Sequence, residues 1–467
     1  MFVQQLYTGC LSEAAYFVSS NGEAAVIDPL RDIDEYLKMA EEQGVKIKYI
    51  FETHFHADFV SGHLDLAQKT GAPIIYGPMA EAGFSMHVAK DGEVFKIGDI
   101  SITAIHTPGH TLESTCYLLN DETGKPYCVF TGDTLFVGDI GRPDLFSGNL
   151  SKEELAGISY ETLQHKIKTL PDHLIVYPAH GPGSSCGKNL GPETFSTMGV
   201  QKQTNYALQD MTKEEFVKLV TTGLAKPPAY FPINAGINKK GYEPLDLVYE
   251  SGLQALSIAD FKEKVKGGAW ILDTRPSTVF TNGFVPEAIS IGLDGRFAEW
   301  AGSLLPFNQD FVLVTEAGKE KESVTRLARV GIDKIKGYLA GGYEAWQQAG
   351  EQTDMIVDIE PDEFAMDLPH DSRMEVIDVR KATEFEAGHV KGATNMPLDS
   401  LMDATHVAMI DDENNLYVHC AGGYRSVIAA SLLKRQGYHN LRNVLGGFGK
   451  IKAIPKVPIV SSEKEKA

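Results

Sequence analysis

Thr53-His54-Phe55-His56-Ala57-Asp58-Phe59 decides how the first half of this chain reads. It follows an apolar run, Ile47-Lys48-Tyr49-Ile50-Phe51, with the character of a buried strand, so the histidines stand just past a strand end. Residues i and i+2 of extended backbone point to one side, which lets both imidazoles face one point. Imidazole is the commonest metal ligand among side chains, and Asp58 adds negative charge. Alone, such a stretch is also compatible with a surface turn. Three later segments repeat the arrangement of a short strand and then a ligand-bearing loop. Ser101–Ile105 runs into His106-Thr107-Pro108-Gly109-His110, Tyr127–Phe130 into Thr131-Gly132-Asp133, and Leu174–Tyr177 into Pro178-Ala179-His180-Gly181. Each sets Gly or Pro beside His or Asp, the turn chemistry of a loop that lines a site. Four such sets in order point to a metal site.

The 467 residues are enough for about two to four domains, each with its own core. A formal net charge of −20, with no basic stripe, disfavours nucleic acid and anionic membrane as partners. Met1-Phe2-Val3-Gln4-Gln5 lacks the basic and apolar regions of a secretory signal, and no run approaches a membrane span. Cys10, Cys116, Cys128, Cys186 and Cys420 are an odd, scattered set without CxxC spacing, which speaks for a reducing cytoplasm.

Along the chain, Val26-Ile27-Asp28-Pro29 ends an early strand. Ile33 to Gln43 has helical periodicity with Gly44 as its stop, and Lys152–Leu155 and Tyr160–Leu170 read as two surface helical segments. Thr212 and Glu215 form a capping-box pair at another helix start. Lys226-Pro227-Pro228-Ala229-Tyr230-Phe231-Pro232 reads as non-helical, and residues 241–254 as a linker.

The order His54-x-His56-x-Asp58, His110, Asp133, His180 resembles the metallo-β-lactamase superfamily. The resemblance implies an αββα sandwich with its metal site at one edge of the sheets. Thr107-Pro108-Gly109-His110-Thr111, Thr131-Gly132-Asp133-Thr134-Leu135-Phe136 and Gly141-Arg142-Pro143-Asp144 are similar to its persulfide dioxygenase branch. One position departs. Hydrolases of the superfamily usually carry a histidine directly after the motif's aspartate, serving a second metal, and Phe59 cannot ligate. His63, a turn further on, is the alternative ligand, with a solvated or structural role the better reading. A single metal is therefore favoured over a dinuclear zinc hydrolase.

In the resembled branch His54, His110 and Asp133 are the ligands, a two-histidine-one-carboxylate face that suits non-haem Fe(II), one per chain. His56, Asp58 and His180 then orient ligands or line the pocket. Zinc held by three histidines is the alternative. Cys186 follows the His180 loop closely enough to lie near the pocket, with a packed thiol as the other reading. Arg142 is a candidate for a substrate carboxylate or phosphate, a structural ion pair being the alternative.

The second half is a repeat. Leu272-Asp273-Thr274-Arg275 and Ile377-Asp378-Val379-Arg380 stand 105 residues apart. Gly283-Phe284-Val285-Pro286 and Gly388-His389-Val390-Lys391 share that offset, as do Leu339-Ala340-Gly341-Gly342-Tyr343 and Val444-Leu445-Gly446-Gly447-Phe448. This is a tandem duplication of an α/β unit of roughly 100 residues, and its pattern resembles the rhodanese domain. In the second copy Cys420 opens Ala421-Gly422-Gly423-Tyr424-Arg425, followed by a helical run. Small residues let the loop N–H groups curl into an anion nest, and the helix N-terminus and Arg425 add positive potential, which favours a thiolate that carries sulfane sulfur. The first copy has Thr315 and Glu320 at the positions of Cys420 and Arg425. It cannot transfer sulfur through a cysteine and reads as a spacer or docking unit.

The whole is expected to be an α/β and α+β multidomain chain: a metallo-β-lactamase-fold domain over 1–245, a degenerate rhodanese-like domain over 256–352, and a cysteine-bearing one over 358–460. The resemblance to persulfide dioxygenase–rhodanese fusions implies sulfide detoxification. A small-molecule persulfide of glutathione, coenzyme A or another thiol is oxidised with O2 to sulfite, and Cys420 passes sulfane sulfur to sulfite, giving thiosulfate. It also suggests a homo-oligomer. The alternatives are a dinuclear zinc thioester hydrolase resembling glyoxalase II, against which Phe59 argues, and a sulfur carrier whose metallo-domain is only a scaffold.

Overall fold

Alternation along buried strands builds the first half. In strand β2 (Glu13–Ser20), Ala14, Tyr16 and Val18 face one core while Ala15 and Phe17 face another. The same split occurs in β3 (Glu23–Ile27), with Ala25 and Ile27 on one side and Ala24 and Val26 on the other. The computed structural model describes residues 1–145 and 150–461. They fall into two units: Met1–Leu247 with Thr325–Ile332, and Val248–Val324 with Asp333–Ala467.

The first unit holds two six-stranded sheets. One runs in the order β1 (Phe2–Thr8), β2, β3, β4 (Lys46–Phe51), β5 (Ile74–Tyr76), β6 (His87–Val88). The other runs β12 (Ser196–Thr197), β11 (Ile175–Pro178), β10 (Pro126–Gly132), β9 (Thr115–Asn120), β8 (Ile100–His106), β7 (Val94–Ile97). Their facing sides share one core that includes Tyr16, Phe51, Phe95, Tyr117 and Phe130. Helices α1 (Asp34–Gln43) and α2 (His63–Thr70) cover the outer face of the first sheet. Helices α3 (Lys152–Thr162) and α4 (Lys213–Thr221) cover that of the second. This is the expected αββα sandwich.

Helix α1 stops where expected, with Gly44 at φ 63°, and the capping box of Thr212 and Glu215 is formed. Three expectations are corrected. The two surface segments after Ser151 are one run: α3 continues into a π-turn at Leu163–Ile167, because Ala156, Leu163 and Ile167 are all buried in one core. The Pro-rich stretch becomes helical at its end, since Pro232 sits in the first turn of α5 (Phe231–Lys240), where a missing N–H does no harm. The expected linker contains α6 (Leu245–Gly252), whose Leu245 and Val248 are buried. No helix among the described residues is long and apolar enough to cross a membrane.

The second unit shows the duplication directly. The first repeat's sheet is ordered β13 (Ala255–Leu256), β17 (Ile335–Leu339), β16 (Phe311–Val314), β14 (Trp270–Asp273), β15 (Ile289–Ser290). The second is ordered β18 (Val357–Ile359), β22 (Leu441–Val444), β21 (Asn415–His419), β19 (Met374–Asp378), β20 (Thr394–Asn395), the same topology. Both keep one buried ion pair. Arg275 bonds Asp273 and the Gly283 carbonyl beneath the Tyr343 ring, and Arg380 bonds Asp378 and the Gly388 carbonyl beneath Phe448. The pair packs both copies, so its retention in the first says nothing about activity.

Candidate metal centre and cysteine loop

The strand ends deliver the candidate ligands to one place. His54 follows β4, His110 lies between β8 and β9, Asp133 follows β10 and His180 follows β11. Gly132, at φ 51°, brings β10 against Thr53; a Cβ there would lie 2.5 Å from Thr53 Oγ1. His54 Nε2 is 3.8 Å and His110 Nε2 3.5 Å from Asp133 Oδ2, and His180 Nε2 is 3.5 Å from Oδ1.

The other ring nitrogens settle which atoms carry protons. His110 Nδ1 lies 2.9 Å from the Arg142 carbonyl and His180 Nδ1 3.0 Å from the Ser12 carbonyl. A carbonyl only accepts, so each Nδ1 donates and each Nε2 turns its lone pair toward Asp133. Thr53 Oγ1 donates to Asp28 and therefore accepts from His54 Nδ1, with the same result. Burial first, then the neighbouring histidines, hold His54 well below the usual imidazole range, in the neutral form a ligand needs. Both Asp133 oxygens are buried without a hydrogen-bond partner among the described residues. Ligand atoms held about 2.0–2.2 Å from a cation stand about 3–3.6 Å apart, close to the spacing of His54, His110 and Asp133. This donor set fits a metal ion.

His54 and His56 do not face one point. The chain leaves the strand at Glu52, and the following loop is not extended, so the i, i+2 rule of strands does not apply. His56 Nε2 lies 3.0 Å from Asp28 Oδ1 and 3.5 Å from Glu52 Oε2. Burial opposes its charge, but Asp28, Glu52 and Asp58 outweigh burial and push it up to about 10. Ligand atoms of His56, Asp58 and His180 also lie within 4.8 Å of one another. The Phe59 ring packs 4.4 Å from His56. Of the two roles expected for His63, the structural one fits and the solvated one does not: it is fully buried, with Nδ1 3.4 Å from Glu52.

Asp28, Glu52 and Thr53 were therefore missed as site residues. Asp28 carried a signal, an aspartate with proline just past a strand, the pattern of the other ligands. Glu13, buried with both oxygens unpartnered and its carboxyl raised chiefly by burial, carried none. Cys186 is buried, and its sulfur lies within 4.8 Å of ligand atoms of Asp133 and His180. Burial, then Asp58 and Asp133, push its thiol well up. Arg142 is committed to a structural pair, with Asp144 at 2.7 and 2.8 Å and the Ala225 carbonyl at 2.5 Å.

In the second repeat the Gly423 N–H donates to Cys420 Sγ at 3.1 Å. Gly423 then leads into helix α7 (Tyr424–Arg435). The Cys420 and Ala421 carbonyls accept from the N–H groups of Phe448 and Gly449. Arg425 is less free than expected, since Glu384 holds its guanidinium at 2.7 and 2.9 Å. Gly318 stands in the first repeat where Gly423 stands in the second, and its N–H donates to the Glu320 carboxylate. The nest is already filled. A Thr315→Cys, Cys420→Ser double variant is therefore expected to show no sulfur transfer above a Cys420→Ser control, in a thiosulfate-to-cyanide assay.

The metallo-beta-lactamase superfamily profile matches residues 8–180, and the rhodanese-like domain profile matches residues 257–349 and 360–454. A Schizosaccharomyces pombe protein named probable hydroxyacylglutathione hydrolase glo2 is 31% identical over 39% of this chain and 68% of its own. The Homo sapiens protein named persulfide dioxygenase ETHE1, mitochondrial, is 30% identical over 44% of this chain and 74% of its own. A crystal structure of a metallo-beta-lactamase from Staphylococcus aureus subsp. aureus COL is 32% identical, with TM-score 0.64, covering 73% of this chain and 98% of that one. With the sandwich, the repeat topology and the motif order, these matches identify the chain as a member of the metallo-β-lactamase superfamily with rhodanese-like domains behind its metallo-domain.

Proposed function

We propose that this chain oxidises a low-molecular-weight persulfide with O2 and passes sulfane sulfur through Cys420 to the sulfite so made. The first reaction is R–S–SH + O2 + H2O giving R–SH and sulfurous acid. In the second, the Cys420 thiolate takes the terminal sulfur of a persulfide, releasing R–SH, and then yields it to sulfite, giving thiosulfate and free Cys420. The observation that carries the reading is the pairing of one His54/His110/Asp133 donor set with Phe59 in the position that serves a second ion.

Those three residues would hold one iron, which when bound supplies the redox chemistry that lets O2 react with a closed-shell sulfur. The protein's own contribution is orientation. Asp28 and Thr53 fix the tautomer of His54, the Arg142 carbonyl fixes that of His110, and the Ser12 carbonyl that of His180. His56, pushed up against burial by its carboxylate neighbours, and Asp58, whose carboxyl burial raises, border the donor set. Cys186 is the pocket thiol beside it. The names of the fission yeast and human relatives, a probable hydroxyacylglutathione hydrolase and a persulfide dioxygenase, support a thiol carrier in the substrate.

A dinuclear thioester hydrolase is the second reading, favoured by the His56/Asp58/His180 cluster. Elemental analysis of anaerobically purified protein, with O2 uptake on glutathione persulfide, separates them. One iron per chain and persulfide-dependent O2 consumption are expected. Two zinc ions with thioester hydrolysis and no O2 uptake overturn the proposal.

A further inference from the structure

The two glycines of the Cys420 loop are loosely packed. A Cβ placed on Gly422 would meet nothing within 4 Å, and one on Gly423 would find its nearest neighbour at 3.8 Å. Yet the Gly423 N–H must point at the sulfur for the nest to act. The loop is tied at its start, where the Cys420 and Ala421 carbonyls accept from Phe448 and Gly449. Its other end is held by Ser426, whose Oγ donates to the Gly423 carbonyl at 2.9 Å, and by the first repeat. Tyr424 Oη donates to the Gly292 carbonyl at 2.7 Å, and a Cβ on Gly295 would lie 2.3 Å from the Tyr424 ring. The Gly292–Gly295 turn is thus shaped to receive this ring.

The contact extends down the helix. Tyr424, Ser431 and Arg435 lie at i, i+7 and i+11, one face of α7. Ser431 Oγ accepts from the Ser290 N–H, and Arg435 bonds the Glu287 carbonyl with its guanidinium 4.2 Å from the Trp270 ring centre. The helix that opens at the cysteine loop is laid along the copy that lacks a cysteine.

We propose that the degenerate first repeat holds the Cys420 loop in its reactive shape, with Tyr424 and the Gly292–Gly295 turn as positioning elements. This rests on the sulfur-transfer reading of Cys420 and gives the first repeat a part in it, beyond that of a spacer. Tyr424 does not touch the transferred sulfur. It acts by fixing the residue that follows Gly423, and with it the direction of the Gly423 N–H.

The test uses the full chain, with thiosulfate as donor and cyanide as acceptor, and iodoacetamide alkylation of Cys420. Tyr424→Phe keeps the ring and removes one hydrogen bond; Gly295→Ala pushes a methyl group into the ring. Tyr424→Phe is expected to lower kcat about five- to tenfold, the size of one hydrogen bond, with KM for thiosulfate within about twofold. Gly295→Ala is expected to lower kcat at least as far. In both, the alkylation rate at neutral pH relative to that at alkaline pH falls, because the thiolate loses its N–H partner. Ser431→Ala, two turns further along, removes a docking bond of the same kind and is expected to lower the melting temperature while leaving that ratio unchanged. Folded Tyr424→Phe protein with parental kcat and alkylation ratio overturns the proposal. So does a Ser431→Ala variant that shifts the ratio as far, since docking alone would then explain the effect. If the parent transfers no sulfur while the ratio still responds to Tyr424→Phe, the sulfurtransferase reading fails and the positioning role stands.

Discussion

Asp133→Ala is expected to lose its metal and persulfide-dependent O2 consumption while keeping its fold and its sulfur transfer. Asp133 faces His54, His110 and His180 through its two oxygens, so one truncation removes the carboxylate that all three rings share. Changing a residue that merely orients a ligand weakens binding about 10- to 100-fold; removing the ligand itself is expected to exceed that. The fold should persist because neither carboxylate oxygen hydrogen-bonds to another described residue. Without metal, the change should even relieve a desolvated charge. Cys420 lies in the other unit, so thiosulfate-to-cyanide transfer should stay within about twofold of the parent, as separate cores predict. Metal content, O2 electrode traces and the transfer assay on one preparation check all three. A folded variant that lost both activities would contradict the assignment of two independent sites.

Cys420→Ser should convert the product from thiosulfate to sulfite without stopping oxygen uptake. Serine has nearly the volume of cysteine, and its oxygen can accept the Gly423 N–H that now meets Sγ, so the loop should survive. A hydroxyl cannot carry a sulfane sulfur, and loss of a nucleophile is expected to lower transfer by at least about 1,000-fold. Sulfite and thiosulfate assayed alongside oxygen uptake check the result. Continued thiosulfate formation at the parental rate would route transfer through another thiol, with Cys186, beside Asp133 and His180, the first to test. Collapse of oxygen uptake with iron still bound would mean that the two half-reactions are coupled.

Much of this was legible because it is local. Short apolar runs marked the strands, and His or Asp beside Gly or Pro marked the loops at their ends. The 105-residue offset disclosed the duplication, and the matching strand orders of the two sheets follow from it. Phe59 could be read as a departure because ligation depends on residue chemistry alone, and the structure adds that its ring packs on His56. Helix boundaries near Ser151, Pro232 and Leu245 were misread where burial of apolar side chains overrode local breakers.

By itself, then, the sequence determined which chemical groups are available, the strand ends that carry them, and which repeat holds a thiol. Tertiary structure alone decided which atoms meet. It sent His56 to Asp28 and Glu52 instead of to the point that His54 faces, and it buried His63 on Glu52. It tied Arg142 to Asp144, filled the first repeat's nest with Glu320, and set Tyr424 on a carbonyl 132 residues away. Side-chain direction in loops has no period to read, and a contact between distant residues depends on the packing of whole layers. Ligand types therefore follow from the sequence, while their geometry and the use of a degenerate domain emerge only from the fold.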